Sequence, residues 1–368
     1  MHDWLTGMRG GERCLEVLCE LFPVAPLFTL LHVPGSVSSV IEDRPIVTSF
    51  VQHLPCATAR YRHYLPLFPL AIRRFDLSSY DLVVSMSHCV AKGAPAAAGA
   101  LHLCYCFSPM RYVWDLYDDY FGRGGLAMRL AMPPVATALR RWDRRTAGVS
   151  HFVAISNHIA DRIRRAYGRP SDVIYPPVDV QRYEIADAPD DYYLVVGALV
   201  PYKRVDLAVA AATRLGLRLV VVGTGPEEAR LRALAGPTVS FLGWRSDAEV
   251  AELYARCRAL FFTAVEDFGI VPLEAAAAGR PTIALAAGGA LETMVGLGAH
   301  DPPTAVFFHE QSVDALERAI VTFEGAAEQF DPKALRARAE AFDRPLFKQR
   351  LAEYIRHRWT ERCEGRSC

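Results

Sequence analysis

Short apolar segments alternate with amphipathic helical patterns along most of the chain, and this alternation limits the possible folds more than any other feature. In the second half, strands are predicted at residues 192–196, 217–222, 239–242 and 259–263, with helices at 205–215, 227–235 and 247–257 between them. Strand and helix exchange about every 10 to 15 residues, as parallel βαβ units require. The pattern predicts a doubly wound α/β domain.

The first half shows the same alternation in a less regular form. Strands are predicted at 82–86, 101–107 and 151–155, with helices at 128–147 and from Ser156 onward. A glycine loop at Gly10 and Gly11 leads into an apolar helical pattern, and such a loop normally follows a strand. The chain has almost no residues before it. We therefore expect either that the coding start lies upstream or that the sheet lacks its first strand, and we favour the upstream start.

A proline-rich segment at 175–179 and an acidic stretch at 187–191 interrupt the pattern and mark a domain boundary. A chain of 368 residues is long enough for about two domains. We place one Rossmann-like domain at 1–183 and a second at 184–343, and expect the C-terminal helix within 344–368 to pack back on the first domain. The two doubly wound domains are expected to face a central cleft, because ligands of open α/β sheets bind at the carboxyl ends of the strands.

Composition excludes several classes of protein. The 41 basic and 41 acidic residues cancel, so the chain has no global field for nucleic acid, and an anionic ligand must be held by a local site.

Nine cysteines, without paired CxxC spacing or a signal-peptide pattern, indicate a reduced, cytosolic protein. Cys104 and Cys106 alternate along a predicted strand with no other ligand nearby, so they are expected in the core and not at a metal. The uncharged stretch 93–110 contains two prolines, and no transmembrane segment is predicted.

Lysine is rare in this chain. Only four of the basic residues are lysines: Lys92, Lys203, Lys333 and Lys348. A lysine retained in such a composition indicates a position that needs a compact ammonium group and would not fit a planar guanidinium.

The segment from Glu266 to Glu274 has the strongest chemical signature. The two glutamates are separated by seven residues and follow the predicted strand at 259–263. If a helix begins near Ile270, its free N–H groups and positive end can hold a phosphate or a sugar oxygen. A carboxylate accepts two hydroxyl hydrogen bonds, which suits the vicinal diol of a ribose or hexose. Two solvated helix charges are the alternative, which the Phe-Gly pair at 268–269 and the position after a fourth strand disfavour.

Five segments in this order resemble the retaining GT-B glycosyltransferases of family GT4, and within it the bacterial mannosyltransferase-like branch that builds polysaccharide repeat units. They are Gly10-Gly11, FSPMRYVWD at 107–115, LVPYKRVD at 199–206, FLG at 241–243, and EDFGIVPLE at 266–274. The resemblance covers nearly the whole chain. It implies the GT-B fold, with an acceptor-binding Rossmann-like domain at 1–183 and a nucleotide-sugar-binding one at 184–343. It also implies transfer of a hexose with retention of configuration.

The resemblance also implies residue roles in a donor site. Glu274 would bind the ribose, while Glu266, as a catalytic residue, would hold the transferred sugar together with the backbone of Phe268, Gly269 and Ile270. Lys203 would neutralise the leaving diphosphate, since a fixed ammonium and a helix N-terminus can stabilise that charge without a metal. No metal and no cofactor beyond the donor are expected.

The resemblance implies further contacts with the donor and with the acceptor. Donor-binding positions at the phosphates and near the base are Gly10, Gly11, Arg204, Gly243 and Trp244, and acceptor-binding positions are Arg111, Tyr112, Trp114 and Asp115. Glycine would let the backbone approach the phosphates closely. Arg204 or Arg111 would assist the lysine.

Two positions depart from the family pattern. Phe107 stands where a histidine is common, and Ala198 stands where an arginine is common. His88 is the candidate catalytic replacement for the histidine, with a purely structural role as the alternative, and Arg204 is the candidate for the missing cation. The neighbours Asp118 and Asp119 are not expected to bind metal, because adjacent side chains of an extended segment diverge.

The resulting hypothesis is transfer of mannose from GDP-mannose to a lipid-linked saccharide in cell-surface polysaccharide biosynthesis, by front-face displacement. Three alternatives remain open: a UDP-sugar-dependent transferase, a non-hydrolysing sugar-nucleotide epimerase, for which no acid/base set is found, and an inactive, binding-only GT-B subunit. A basic, aromatic segment at 60–75 could place the enzyme at the inner face of the cytoplasmic membrane. A solvated helix with a buried aromatic side explains the same pattern.

Overall fold

The computed structural model describes residues 1–114, 117 and 126–364, and the chain divides into two compact units. The first unit is Met1–Pro176 with Phe347–Cys368, and the second is Pro177–Leu346. The predicted boundary lies later, after residue 183. The segment at 177–183 joins the second unit because Val178 N–H donates to the carbonyl of Phe342, and the guanidinium of Arg336 donates to the carbonyl of Tyr183.

The first unit is built from short parallel strands and helices. Its strands are β1 (Leu27–Thr29), β2 (Ile46–Thr48), β3 (Leu82–Ser87), β4 (Leu101–Cys106), β5 (His151–Ala154) and β6 (Asp172–Val173). Its helices are α1 (Gly10–Leu21), α2 (Ser39–Glu42), α3 (Ala57–Arg60), α4 (Phe68–Arg73), α5 (Leu126–Arg145) and α6 (Asn157–Tyr167). All pairings among these strands are parallel.

Residues 1–5 fill the position of the strand that the sequence led us to expect as missing. His2 forms parallel bridges with Thr29 of β1 and Met86 of β3, and Leu5 pairs with His32. The segment is too short and irregular to count as a strand, yet it joins β2-β1 to β3-β4-β5-β6. Glycines at the start of α1 therefore do follow an extended segment, as a glycine loop normally does.

The second unit is a doubly wound parallel sheet. Its strands are β7 (Tyr193–Val196), β8 (Leu219–Val222), β9 (Val239–Gly243), β10 (Ala259–Phe262), β11 (Thr282–Leu285) and β12 (Ala305–Phe308). Its helices are α7 (Val205–Leu215), α8 (Glu228–Leu234), α9 (Asp247–Arg256), α10 (Ile270–Ala277), α11 (Ala290–Thr293), α12 (Val313–Ala326) and α13 (Pro332–Glu340). The strand order is β12-β11-β10-β7-β8-β9, so the direction of winding reverses between β7 and β10.

The final helix, α14 (Arg344–Glu364), packs on the first unit over most of its length. Phe347 contacts the ring of Tyr105 edge-on, with 5.7 Å between centroids. Tyr354 and Arg358 both donate to the carboxylate of Asp172 in β6. Apolar burial and these polar contacts fix the helix along the strand edge. None of the helices in the described ranges combines the length and the apolar content needed to cross a membrane.

Lys92, one of the four lysines, forms a fully buried ion pair in the first unit. Its ammonium lies 2.7 Å from Asp143 Oδ1 and also donates to the carbonyl of Asp143 and the hydroxyl of Thr146. The other carboxylate oxygen of Asp143 accepts hydrogen bonds from Trp114 and Tyr167, each at 2.8 Å. The lysine is 2% exposed and the aspartate 0%. A compact ammonium fits here, as the scarcity of lysine suggested.

Loss of this buried pair should be far more costly than loss of an exposed one. We expect Lys92→Met to lower the free energy of unfolding by about 3–5 kcal/mol, because the carboxyl group of Asp143 is left in the interior without its main partner. The matched control is Lys348→Met, which removes an exposed pair with Glu20 and should cost about 0–1 kcal/mol. Urea unfolding followed by tryptophan fluorescence measures both. Equal losses in the two variants would contradict the interpretation.

Candidate functional site

The loops that follow β7 and β10 lie side by side, because these two strands are paired in parallel at the reversal of strand order. Open α/β sheets bind ligands at such a position. Thr263, directly after β10, joins the loops: its hydroxyl lies 2.9 Å from the carbonyl oxygens of both Lys203 and Arg204, to which it donates. Arg204 has a left-handed backbone (φ 50°) that ends this turn. The hydroxyl therefore fixes the backbone that carries the predicted lysine.

Lys203 and Glu266, which the sequence places 63 residues apart, form an ion pair at this site. Both side chains are about one-fifth exposed, at 21% and 20%. The ammonium lies above Gly197 after β7, where a Cβ would be 3.7 Å from Nζ. Gly197 has φ of 150°, a conformation that side-chain-bearing residues rarely adopt. Glycine thus leaves open space next to the cation, which a phosphate oxygen can fill.

A glycine pair after β11 holds the Glu266 loop in place. Gly289 N–H donates to the carbonyl of Glu266 at 2.9 Å, and Gly288 forms a parallel bridge with Glu266. A Cβ on Gly288 would lie 2.4 Å from the carbonyl oxygen of Glu266, and one on Gly289 would lie 2.3 Å from Cα of Phe268. Only glycine permits such an approach. Sequence reasoning missed this pair, although a Gly-Gly doublet following an apolar segment was the signal.

A helix begins at Ile270, as the sequence predicted, and places Glu274 about one turn inside it. Gly269 precedes the helix with φ of 94°, so a glycine is needed at this turn. The first N–H groups of the helix point away from its body, which makes this end suitable for an anion.

Glu274 has a buried partner that the sequence did not indicate. The hydroxyl of Tyr254, in α9, donates to Glu274 Oε2 at 3.0 Å, and the tyrosine is fully buried. Burial and the nearby carboxylate raise the pKa of Tyr254 well above its usual range. The hydroxyl therefore keeps its proton and orients the glutamate.

The other donor-site residues of the second unit take different positions. Arg204 Nε donates to Asp206 Oδ1 at 3.1 Å, so its charge already has a carboxylate partner. Gly243 ends β9 with φ of 70° and accepts a hydrogen bond from Gly223 N–H. Trp244 next to it is 73% exposed and available for stacking.

In the first unit, the structure brings together residues that the sequence singled out separately. A Cβ on Gly11 at the start of α1 would lie 3.5 Å from the ring of Phe107 and 3.7 Å from His2. His88, directly after β3, lies 6.4 Å from Phe107 between ring centroids. Gly10 is the first residue of α1, next to this group. Phe107 thus fills the space beside the glycine loop with a ring that has no hydrogen-bonding atom.

The predicted acceptor residues Arg111, Tyr112 and Trp114 form one turn after β4. Tyr112 is buried near Trp4, and the indole N–H of Trp114 donates to Asp143, so Trp114 anchors this turn to α5. Asp115, Asp118 and Asp119 lie outside the described residues. Within residues 1–114, 117 and 126–364, no group of histidine, cysteine and acidic side chains has the arrangement of a metal site.

Comparison with known families divides the chain at nearly the same place as the structure does. Residues 10–182 match the model of Glycosyltransferase Family 4, and residues 181–336 match the model of the glycosyl transferases group 1. The two matches together extend from the first helix of the chain to the last helix of the second unit.

Curated relatives resemble part of the chain. A GDP-mannose-dependent alpha-mannosyltransferase of Mycobacterium tuberculosis is 40% identical over 124 residues, which is 30% of this chain and 32% of the relative. The O-antigen chain mannosyltransferase C of Escherichia coli is 38% identical over 101 residues, 26% of this chain and 27% of the relative. The matched region thus spans about a third or less of the length of these relatives.

Solved structures resemble the chain over almost its full length. Sucrose-phosphate synthase from Thermosynechococcus elongatus aligns with a TM-score of 0.73 and 16% identity, covering 98% of this chain and 99% of that one. Anabaena HepE in complex with UDP-glucose aligns with a TM-score of 0.70 and 21% identity, covering 97% and 98%. These likenesses show the GT-B fold. With both family models matched in succession, the chain belongs to the family 4 glycosyltransferases.

Proposed function

We propose that this chain is a retaining glycosyltransferase that transfers mannose from GDP-mannose to a saccharide acceptor. The observation that carries the proposal is the Lys203–Glu266 pair at the reversal of strand order, beside the first turn of α10. A cation and a helix N-terminus at one point suit a diphosphate, and carboxylates on either side of them suit sugar hydroxyls. The mannosyltransferase names of two partial relatives support the choice of sugar.

The site can work without a protein nucleophile. Lys203 exchanges its partner Glu266 for the diphosphate, whose negative charge grows as the anomeric C–O bond breaks. The ammonium and the N–H groups of α10 stabilise that charge. On the same face of the sugar, the acceptor oxygen forms the new bond, and its proton passes to the departing phosphate oxygen. Glu266, released from the lysine, accepts hydrogen bonds from the hydroxyls of the transferred sugar.

Nucleotide binding depends on Glu274 in this proposal. The carboxylate accepts both ribose hydroxyls, and the buried hydroxyl of Tyr254 fixes its orientation before the ligand arrives. UDP-sugars stay open as alternative donors, since no described residue selects the base. A subunit that binds nucleotide without turnover is the other alternative, because Phe107 offers no hydrogen bond where the family commonly has a histidine.

The proposed acceptor is lipid-linked, which places the enzyme at a membrane surface in the cytoplasm. Between Arg60 and Phe75 the chain contains no acidic residue. The 3-10 turn at 61–67, helix α4 and the residue after it expose Arg62, Arg73 and Arg74 together with the apolar side chains of Leu67 and Leu70. Arginines attracted to anionic headgroups, with leucines that enter the interface, fit peripheral docking.

Nucleotide binding is testable by thermal shift. GDP at 100 times its dissociation constant should stabilise the protein by about 2.7 kcal/mol, whereas UDP, ADP and CDP should not. Glu274→Ala should abolish the shift, and Tyr254→Phe should reduce it, because the carboxylate loses its orienting partner. Glu252→Ala, on an exposed face of α9, is the control and should respond as the wild type does. Stabilisation by UDP alone would keep the site and overturn mannose as the sugar.

Charge stabilisation by Lys203 is testable by the rate of GDP release from GDP-mannose. We expect Lys203→Ala to lower kcat by about 10²- to 10³-fold, as for removal of other groups that stabilise a developing negative charge. Lys203→Arg should recover little, because a planar guanidinium does not place its charge where the compact ammonium does. Lys333→Ala in α13 serves as the control. A Lys203→Ala variant with normal kcat would exclude the proposed role.

Membrane docking is testable by sedimentation with vesicles. The full chain should bind vesicles containing phosphatidylglycerol and release them at high salt. Replacing both Arg73 and Arg74 by glutamate should weaken binding at least tenfold, since each basic residue near the surface contributes about 1 kcal/mol. The same double change at Arg230 and Arg232 in α8 alters net charge equally and should have little effect. Equal weakening by both pairs would contradict a specific docking face.

A further inference from the structure

Asp3 is a buried carboxylate that the mechanism above does not use. Its side chain is completely inaccessible to solvent. Oδ2 accepts from the N–H groups of His88 and Cys89 at 2.7 and 2.9 Å, and Oδ1 accepts from those of Val90 and Ala91 at 2.7 and 2.8 Å. Four donors compensate the buried charge and hold the turn that follows β3.

The same carboxylate contacts the ring of His88. His88 Nδ1 lies 3.2 Å from Asp3 Oδ2. A negative oxygen at this distance favours a proton on Nδ1, because the other tautomer would place a nitrogen lone pair against it. A neutral imidazole with its proton on Nδ1 carries a lone pair on Nε2, on the opposite side of the ring.

The surroundings of His88 keep the ring neutral and fixed. Burial lowers the pKa of His88 to about 4; Asp3 and Glu12 raise it, whereas the neighbouring charges of His2 and Arg111 lower it. Trp4 packs edge-on against the ring at 4.4 Å between centroids. The side chain is nevertheless 21% exposed. A held, uncharged ring is therefore partly accessible to solvent.

We propose that Asp3 is a positioning residue that keeps the proton of His88 on Nδ1, so that His88 Nε2 accepts a hydrogen bond from a sugar hydroxyl. The identity of that ligand rests on the proposed function. The Phe107 ring nearby has no polar atom, so His88 supplies a hydrogen-bond acceptor beside the glycine loop. The contact is one of recognition and orientation, and it requires no proton transfer to the imidazole.

The tautomer of His88 can be measured directly on the full chain. With ¹⁵N-labelled histidine, the signals of His88 are identified by their loss in His88→Gln. Between about pH 6 and pH 8 we expect a protonated Nδ1 and an unprotonated Nε2, independent of pH. Asp3→Asn should shift the population toward the other tautomer. A wild-type ring protonated on Nε2, or doubly protonated at pH 7, would overturn the proposal.

Sugar-nucleotide turnover gives the second readout. His88→Ala should reduce kcat/KM by about three- to tenfold, the range of one hydrogen bond, and His88→Gln should recover part of the loss through its amide oxygen. In the His88→Ala background, Asp3→Asn should lower kcat/KM by less than it does in the wild-type background, because part of its effect passes through the histidine. Additive losses would show that Asp3 acts on its own and would contradict the pairing.

The NMR result separates this inference from the proposed function. It requires no turnover and no substrate, so it stands even if Asp3→Asn fails to fold. A wild-type protein with the expected tautomer but no nucleotide release from any sugar nucleotide supports the pair and contradicts the proposed function. An active enzyme with the opposite tautomer would support the proposed function and contradict the Asp3–His88 pair.

Discussion

The parallel pairing of β7 with β10 is the constraint on which the second unit depends. Winding proceeds from β7 to β9 in one direction and from β10 to β12 in the other, so the connections leave these two central strands toward opposite sides. Their following loops therefore meet without a helix between them. Lys203 and Glu266 are distant in sequence and become neighbours through this single topological feature. The hydroxyl of Thr263, directly after β10, then donates to the carbonyl of Lys203 and so fixes the backbone that carries the lysine.

Backbone contacts, more than side-chain contacts, set the precision of this site. A Cβ on Gly223 would lie 1.9 Å from the carbonyl oxygen of Gly197, and one on Gly225 would lie 2.3 Å from that of Leu199. The loops after β7, β8 and β11 thus touch the functional segments through glycines. Packing of this kind tolerates no added methyl group without a backbone shift. The cation and the carboxylate are consequently held by main chain, which moves less than long side chains do.

The sequence predicted much of this arrangement, since strand and helix periodicity depends on local pattern. Helix 205–215 was placed at its observed bounds, and a helix beginning near Ile270 was the condition for the expected anion site. Strand β11 was not predicted. The sequence on both sides of Thr282 is rich in alanine, so its apolar residues show neither the period of a helix nor that of a strand. Tyr254 was missed for another reason. A tertiary contact between α9 and α10 determines its partner, and the spacing of residues along the sequence does not indicate such a contact.

Two carboxylates show how burial affects the role of a charge. A fully buried one holds structure, whereas a partly exposed one can exchange its partner for a ligand. Asp3 is inaccessible and receives four backbone hydrogen bonds, so any ligand that displaced it would leave those donors unpaired. Glu266 is one-fifth exposed and faces a lysine that is equally exposed. Such a pair loses less on separation than a fully buried one, because solvent screens both charges. Each charge in that pair can therefore turn to a ligand, whereas Asp3 can only orient the group that reaches it.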